Sequence, residues 1–307
     1  MLFNSSNISI DTIANDCLIK KNISLSIIRL DKIHPVVSGN KLFKLHYFLQ
    51  QAIDNKLRGL LTFGGAYSNH LVATAFACKT LGLKSIGFVR GEKPAYLSPT
   101  LLACIEYGMQ LNFVSREEYD TKEDALFLAN LSDKWQGFLQ VPEGGYHPKG
   151  AAGAALINNF IKKDTTHICT ALGTATTFAG LIAGASPTQQ IVGVPVLKGM
   201  VDIAQRVPYL TESSHPLPNG LVGQAYQLLD GYHFGGYAKK TPALLQFMNT
   251  LFQQHNLPTD FVYTAKMMFA ILDTIEKGFF AEGSKIACLH TGGLQGNKSL
   301  PAGSLIF

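Results

Sequence analysis

The sequence predicts an α/β protein of two lobes, each a mostly parallel sheet in a three-layer α/β/α arrangement. Three observations carry this. Short apolar runs end in glycine or proline at regular intervals, and segments with apolar residues at helical spacing lie between them. This alternation then occurs a second time further along the chain. Strands that alternate with helices imply parallel sheets covered on both faces.

In the first block, residues 59–63 form a short apolar run that stops at Gly64-Gly65, as a buried strand would. Residues 69–81 have helical spacing and stop at Gly82. A second strand is predicted over 85–89, a helix over 99–107 stopped by Gly108, and a third strand over 110–114. In the second block, 138–141 reads as a strand ending at Pro142 and 150–163 as an Ala-rich helix. Strand 167–172, helix 177–184 and strand 190–195 follow, with a late strand over 286–290 that ends at Thr291-Gly292-Gly293. Residues 200–237 are richer in turns and are expected to pass irregularly over an active site. A lobe boundary near 148–150 divides the chain into a smaller lobe, 44–149, and a larger one made of 1–43 and 150–307.

Composition narrows the function classes. With 307 residues, 47% of them hydrophobic, the chain has material for one large core or two modest ones. The net charge is +5, but the basic residues are scattered and adjoin only in pairs such as Lys162-Lys163. No basic stripe is interleaved with aromatics, so no nucleic-acid partner is expected. The mild positive bias suits a small anionic substrate or a phosphate-bearing cofactor. The five cysteines are odd in number and form no CxxC, which suits thiols in a reducing compartment. No signal peptide is legible in residues 1–20 and no apolar run approaches bilayer length, so a cytoplasmic location away from membranes is expected. The zincin and α/β-hydrolase motifs are absent, the nine histidines lack ligand spacing, and no metal site is expected. His147, His167 and His255 read as structural or surface residues.

Open α/β sheets bind ligands at the carboxyl ends of their strands, which singles out four segments. In Ser38-Gly39-Asn40-Lys41-Leu42-Phe43-Lys44, Lys41 and Lys44 fall on one face of a helix start. They read either as a nucleophile and a phosphate clamp or as two solvated lysines. Gly64-Gly65-Ala66-Tyr67-Ser68-Asn69-His70 closes a strand and opens a helix, with Ser68 or Asn69 as N-cap. Gly173-Thr174-Ala175-Thr176-Thr177 can cradle a phosphate with backbone N–H groups and hydroxyls, although no Walker or dinucleotide motif accompanies it. His290-Thr291-Gly292-Gly293 is a glycine turn in which Thr291 could donate to a ring nitrogen.

Taken in order, these segments resemble the 1-aminocyclopropane-1-carboxylate deaminase and D-cysteine desulfhydrase family. The likeness extends to Pro142-Glu143-Gly144-Gly145 and to Asp260-Phe261-Val262-Tyr263-Thr264-Ala265-Lys266 and covers Arg29 to Gly293. It implies a tryptophan-synthase β-like fold whose larger lobe binds pyridoxal 5′-phosphate. By the resemblance, Lys41 carries the cofactor as a Schiff base and Lys44 helps to hold its phosphate, which Gly173, Thr174, Ala175, Thr176 and Thr177 cradle. Asn69 bonds the 3′-oxygen, while Thr264 and Thr291 lie near the ring nitrogen. Ser68, Tyr237 and Tyr263 are the catalytic partners, and these three with Asn69 and His70 contact the substrate.

The resemblance also bears on the substrate. Deaminases of the cyclopropane substrate carry a glutamate where Thr264 stands, and a threonine hydroxyl cannot supply that negative charge. The expected reaction is therefore β-elimination from D-cysteine or a related β-substituted D-amino acid, with deamination of 1-aminocyclopropane-1-carboxylate as the alternative. A cofactor-binding protein without turnover is the remote third reading. Two further departures are Val72, where the family often has arginine, and Ala175-Thr176, where two glycines are common. A homodimer is expected, as two-fold dimers are the commonest oligomers.

Overall fold

The structure, a computed structural model, describes residues 4–35, 37, 39–212 and 226–307. Ser38 of the first candidate turn and residues 213–225 of the turn-rich stretch lie outside this set. The chain opens with β1 (Ser9–Ile13), α1 (Asp16–Lys20) and β2 (Ser24–Arg29), which the sequence reading did not assign, and then enters α2 (Lys41–Asp54). Next come β3 (Gly59–Gly64), α3 (Asn69–Thr80), β4 (Lys84–Arg90), α4 (Pro99–Glu106) and β5 (Met109–Val114). They are followed by α5 (Arg116–Asp120), α6 (Ala125–Lys134), β6 (Phe138–Val141), α7 (Pro148–Ala155), β7 (His167–Leu172), α8 (Thr176–Gly184) and β8 (Gln190–Pro195). The chain ends with α9 (Ile203–Thr211), β9 (Tyr226–Leu228), α10 (Pro242–His255), α11 (Thr264–Glu276) and β10 (Lys285–His290).

Two sheets result. One has four strands in the order β5-β4-β3-β6, all parallel. The other has six, β1-β2-β10-β7-β8-β9, all parallel except β1, which runs antiparallel to β2. The expected α/β class with mostly parallel sheets is the observed one. Burial explains the composition of the strands: every residue of β3 is buried, as a strand covered by helices on both faces requires.

Two expectations need correction. The Ala-rich helix does not run over 150–163. It starts two residues earlier, at Pro148, with His147 as N-cap, and ends at Ala155, after which Leu156–Phe160 is a 3-10 turn. The stretch from 200 to 237 is more regular than expected: it holds α9 and β9, an edge strand in register with β8 (Ile191↔Tyr226). Three residues are too few to show a hydrophobic period, so β9 is defined by its partner. Among the described residues no helix is long and apolar enough to cross a membrane.

Small residues at helix contacts bring the candidate site together. A Cβ on Gly153 of α7 would lie 2.1 Å from the Phe43 carbonyl of α2, and one on Gly180 of α8 would lie 2.4 Å from the Ala151 carbonyl. The backbones of α2, α7 and α8 therefore touch, which draws the first turns of α2 and α8 to one place. The turn before α2 is fixed from the other side. Gly39 has φ +89°, and a Cβ there would fall 1.8 Å from the Thr291 carbonyl, which also accepts Asn40 N–H at 3.3 Å. Behind this contact, Arg29 grips Asp31 through two bonds of 2.7 and 2.8 Å, and His290 Nδ1 lies 3.2 Å from the same carboxylate.

Gly39→Ala combines a left-handed backbone with a backbone clash. It is expected to cost about 2 kcal/mol or more, read as a lower denaturation midpoint. A midpoint equal to that of the wild type would mean that the turn does not depend on this contact.

Candidate active site

The amine pair comes first. Lys41 opens α2 and Lys44 follows one turn later on the same face, as the spacing predicts. Lys41 Nζ donates to Asn40 Oδ1 at 3.1 Å, and Asn40 Nδ2 donates to Thr177 Oγ1 at 2.7 Å. Lys44 Nζ donates to Thr174 Oγ1 at 3.3 Å, and that hydroxyl lies 2.8 Å from Thr176 Oγ1. The lysines thus reach the β7–α8 turn by two parallel routes. Asn40 is a member of this set that had no role in the sequence reading, although it stands inside the motif.

The β7–α8 turn is an anion cradle. Thr176 is the first residue of α8, so the free N–H groups and positive end of the helix dipole lie at residues 173–177. Ala175 adopts the left-handed conformation (φ 61°) where the family pattern has glycine, so the loop keeps its geometry without the glycine. Gly145 packs on the Lys44 side chain and Gly144 on Thr174, with 3.3 and 3.2 Å to a virtual Cβ. The Glu143–Gly145 turn thus closes the cradle.

The lysines are short of negative charge. Among the described residues neither Lys41 nor Lys44 forms an ion pair. Burial lowers Lys41 to about 8 against the opposing pull of Asp260, while burial and the Lys41 charge hold Lys44 well below its usual range. Two buried amines, three threonine hydroxyls and a helix N-terminus fit a phosphate-bearing aldehyde. The phosphate would supply the missing charge, and an amine at about 8 is an available nucleophile near neutral pH.

Opposite the cradle stand two phenols. Tyr263 packs on Gly173, with 3.0 Å from its ring to a virtual Cβ, and its ring lies 6.2 Å from that of Tyr237 in a T-shaped contact. Burial holds Tyr263 well above the usual tyrosine range and also raises Tyr237, although 59% of the Tyr237 surface is exposed, so both stay protonated at neutral pH and can donate protons but not withdraw them.

The residue missed in the sequence is Asp260. It is fully buried, and its carboxylate accepts N–H groups of Val262, Tyr263 and Thr264 at 2.8–2.9 Å and the Thr264 hydroxyl at 2.6 Å. It therefore caps α11 and holds Tyr263 at the helix start. The sequence reading treated Thr264 as unable to supply negative charge. That hydroxyl is neutral, as the sequence implies, but the Asp260 carboxylate stands one hydrogen bond behind it. The signal was an Asp four residues before the first residue of α11, from where its carboxylate can accept the N–H groups that lead into the helix.

Ser68, Asn69 and His70 start α3, below the β3 end. Ser68 caps the helix by accepting Leu71 N–H at 3.3 Å. His70 is 2% exposed and lies under the charges of Lys44 and Lys41, which add to burial in holding its ring neutral. Thr62 Oγ1 donates to the Val141 carbonyl at 2.7 Å, so it accepts from His70 Nε2–H at 2.9 Å. Any contact of His70 with a ligand must therefore go through Nδ1. The Thr291 side chain is 8% exposed, and it is the backbone carbonyl of this residue that meets the Lys41 turn.

Comparison with known proteins agrees with this chemistry. The family model described as pyridoxal-phosphate dependent enzyme matches residues 22–292. The chain is 30% identical to a Thermotoga maritima protein provisionally named a 1-aminocyclopropane-1-carboxylate deaminase, over 90% of this chain and 91% of that one. It is 27% identical to a Serratia proteamaculans protein named D-cysteine desulfhydrase, over 87% and 86%. A crystal structure of a homologue of 1-aminocyclopropane-1-carboxylate deaminase superposes with a TM-score of 0.84 at 26% identity, covering 97% of this chain and 92% of the other.

In cofactor-free protein carrying 13C-dimethylated lysines, the Lys41 signal should titrate near pH 8. Asp260 favours the charged form of Lys41, so Asp260→Asn should move that midpoint down. An upward shift, or none, would contradict the electrostatic link. The same substitution leaves buried N–H groups poorly matched and should cost about 1–3 kcal/mol of stability.

Proposed function

The chain belongs to the pyridoxal-phosphate dependent enzymes, and from that premise we propose that it eliminates the β-substituent of a small amino acid. The favoured substrate is D-cysteine or a related β-substituted D-amino acid. D-cysteine and water would yield pyruvate, ammonia and hydrogen sulfide. Bound pyridoxal phosphate supplies an electron sink for the charge that develops at the α-carbon.

The chain's own residues do the rest. Lys44 and the turn from Gly173 to Thr177 (Thr174, Ala175 and Thr176 between) hold the phosphate, and Asn69 the 3′-oxygen. The Ser68 hydroxyl and the N–H groups that begin α3 hold the substrate carboxylate, which orients the α-carbon bond to be broken. Lys41 Nζ, with its proton affinity lowered by burial, takes the α-proton. Tyr237 and Tyr263, both protonated at neutral pH, give a proton to the departing sulfur. We further propose that the enzyme is a cytoplasmic homodimer, with a smaller lobe over 44–149 and the remainder forming the larger, cofactor-binding lobe.

Thr264 carries the choice of reaction. Its Oγ1 accepts Asp260 N–H at 2.8 Å and spends its one proton on the Asp260 carboxylate, so it presents a neutral oxygen. Losing an α-proton with a good β-leaving group needs less charge stabilisation than opening a ring that lacks an α-hydrogen. Two observations favour the second reading, deamination of 1-aminocyclopropane-1-carboxylate to 2-oxobutyrate and ammonia. The Asp260 charge polarises Thr264, and several relatives bear that name.

Purified holoenzyme given D-cysteine should release sulfide and pyruvate together, and Lys41→Ala should lower the rate about 10²–10⁴-fold. Equal product from wild type and variant would overturn the assignment of Lys41. With 1-aminocyclopropane-1-carboxylate, the wild type should make little 2-oxobutyrate and Thr264→Glu more. A wild type faster on this substrate than on D-cysteine would reverse the order of the two readings.

A further inference from the structure

Lys266 is a buried cation with no part in the chemistry described above. It lies in the first turn of α11, is fully buried, and its Nζ donates to two backbone carbonyls, His233 at 2.8 Å and Gly236 at 2.7 Å. Both belong to the segment between β9 and α10 that carries Tyr237.

That segment is strained. Phe234 (φ 50°), Gly235 (φ 94°), Gly236 (φ 116°) and Ala238 (φ 51°) all have positive φ, and two of them are not glycine. Each non-glycine residue in that region brings its Cβ into steric conflict with the backbone. Such a backbone persists only where its surroundings enforce it. Among the described residues its internal bonds are Gly236 N–H to the His233 carbonyl, Lys239 N–H to the Gly236 carbonyl and Gly235 N–H to His233 Nδ1, at 3.0–3.2 Å. Phe234 adds a ring contact with Phe269 at 5.1 Å. Lys266 adds two short charge-assisted bonds to carbonyls on either side of Phe234 and Gly235. Asp260 favours the charged form of Lys266 against the effect of burial. The carboxylate that seats Tyr263 thus also acts on the lysine that holds the Tyr237 turn.

We propose that Lys266 is a positioning residue which fixes the 233–238 turn so that Tyr237 meets Tyr263 over the cofactor cradle. The role of Tyr237 rests on the reaction proposed above; the holding of the turn does not. Lys266 touches no reacting atom in this scheme and acts through Tyr237 alone.

The test has two arms. In the first, hydrogen exchange is followed in cofactor-free protein. Lys266→Met should speed exchange of amides 233–239 by about tenfold or more while leaving the β-sheet amides slow. Lys266→Gln, which keeps N–H donors, should show a smaller effect. Unchanged exchange at 233–239 would overturn the proposal, and so would faster exchange across the whole molecule in both variants, since Lys266 would then support the fold and not the turn. In the second arm, Lys266→Met, Tyr237→Phe and the double variant are compared by kcat and KM on D-cysteine. The double variant should be no slower than Tyr237→Phe, whereas independent, multiplying losses would overturn action through Tyr237. If the wild type turns over neither D-cysteine nor 1-aminocyclopropane-1-carboxylate, the reaction is wrong, and the exchange arm still decides the role of Lys266.

Discussion

One buried carboxylate organises the site. Asp260 is shielded from water, and three backbone N–H groups and a threonine hydroxyl stand in for its hydration. Such a group is costly unless fully matched, so residues 260–264 are held in one arrangement, which sets the start of α11. Tyr263, Thr264 and Lys266 take their directions from that start. The same charge favours the ammonium forms of Lys41 and Lys266 against the desolvation that lowers both to about 8.

The second constraint is steric. Glycine and alanine along α7 and α8 let three helix backbones touch, and this brings the first turns of α2 and α8 together. Two helix N-termini and two underneutralised lysines then share one volume. The resulting positive potential is a property of the assembly, since a lysine at the start of an isolated helix would be hydrated. Anchoring by the Thr291 carbonyl keeps the Lys41 turn from relaxing away from that volume.

Legibility in the sequence follows the range of the interaction responsible. The strands over 59–64, 167–172 and 190–195 and the helix over 69–80 could be read because burial on two faces and caps such as Ser68 are local signals. β1 and β2 are not legible in the sequence because β1 is defined by pairing with β2, and β2 by pairing with β1 and with β10, more than 250 residues further on. The sequence extends the Ala-rich helix to 163 because Leu156, Ile157, Phe160 and Ile161 continue its apolar spacing, whereas the chain turns into a 3-10 segment after Ala155. Asp260 stood in a recognised segment, but a single aspartate does not disclose that it will be buried or what it will face.

The sequence by itself determined the α/β class, the order of strand and helix, the strand-end turns and, through their joint resemblance to known enzymes, the expected cofactor and its lysine. These follow from short-range patterning and motif order, both of which are written along the chain. The tertiary structure decided that Lys41 reaches Thr177 through Asn40 and Lys44 reaches Thr174, that Thr264 is backed by a buried charge, and that Lys266 turns inward to grip the Tyr237 turn. The physical reason is that proton affinity and hydrogen-bond partnership depend on burial and on neighbours far away in sequence. A lysine acquires its chemistry only when the fold removes water from around it and sets charges nearby.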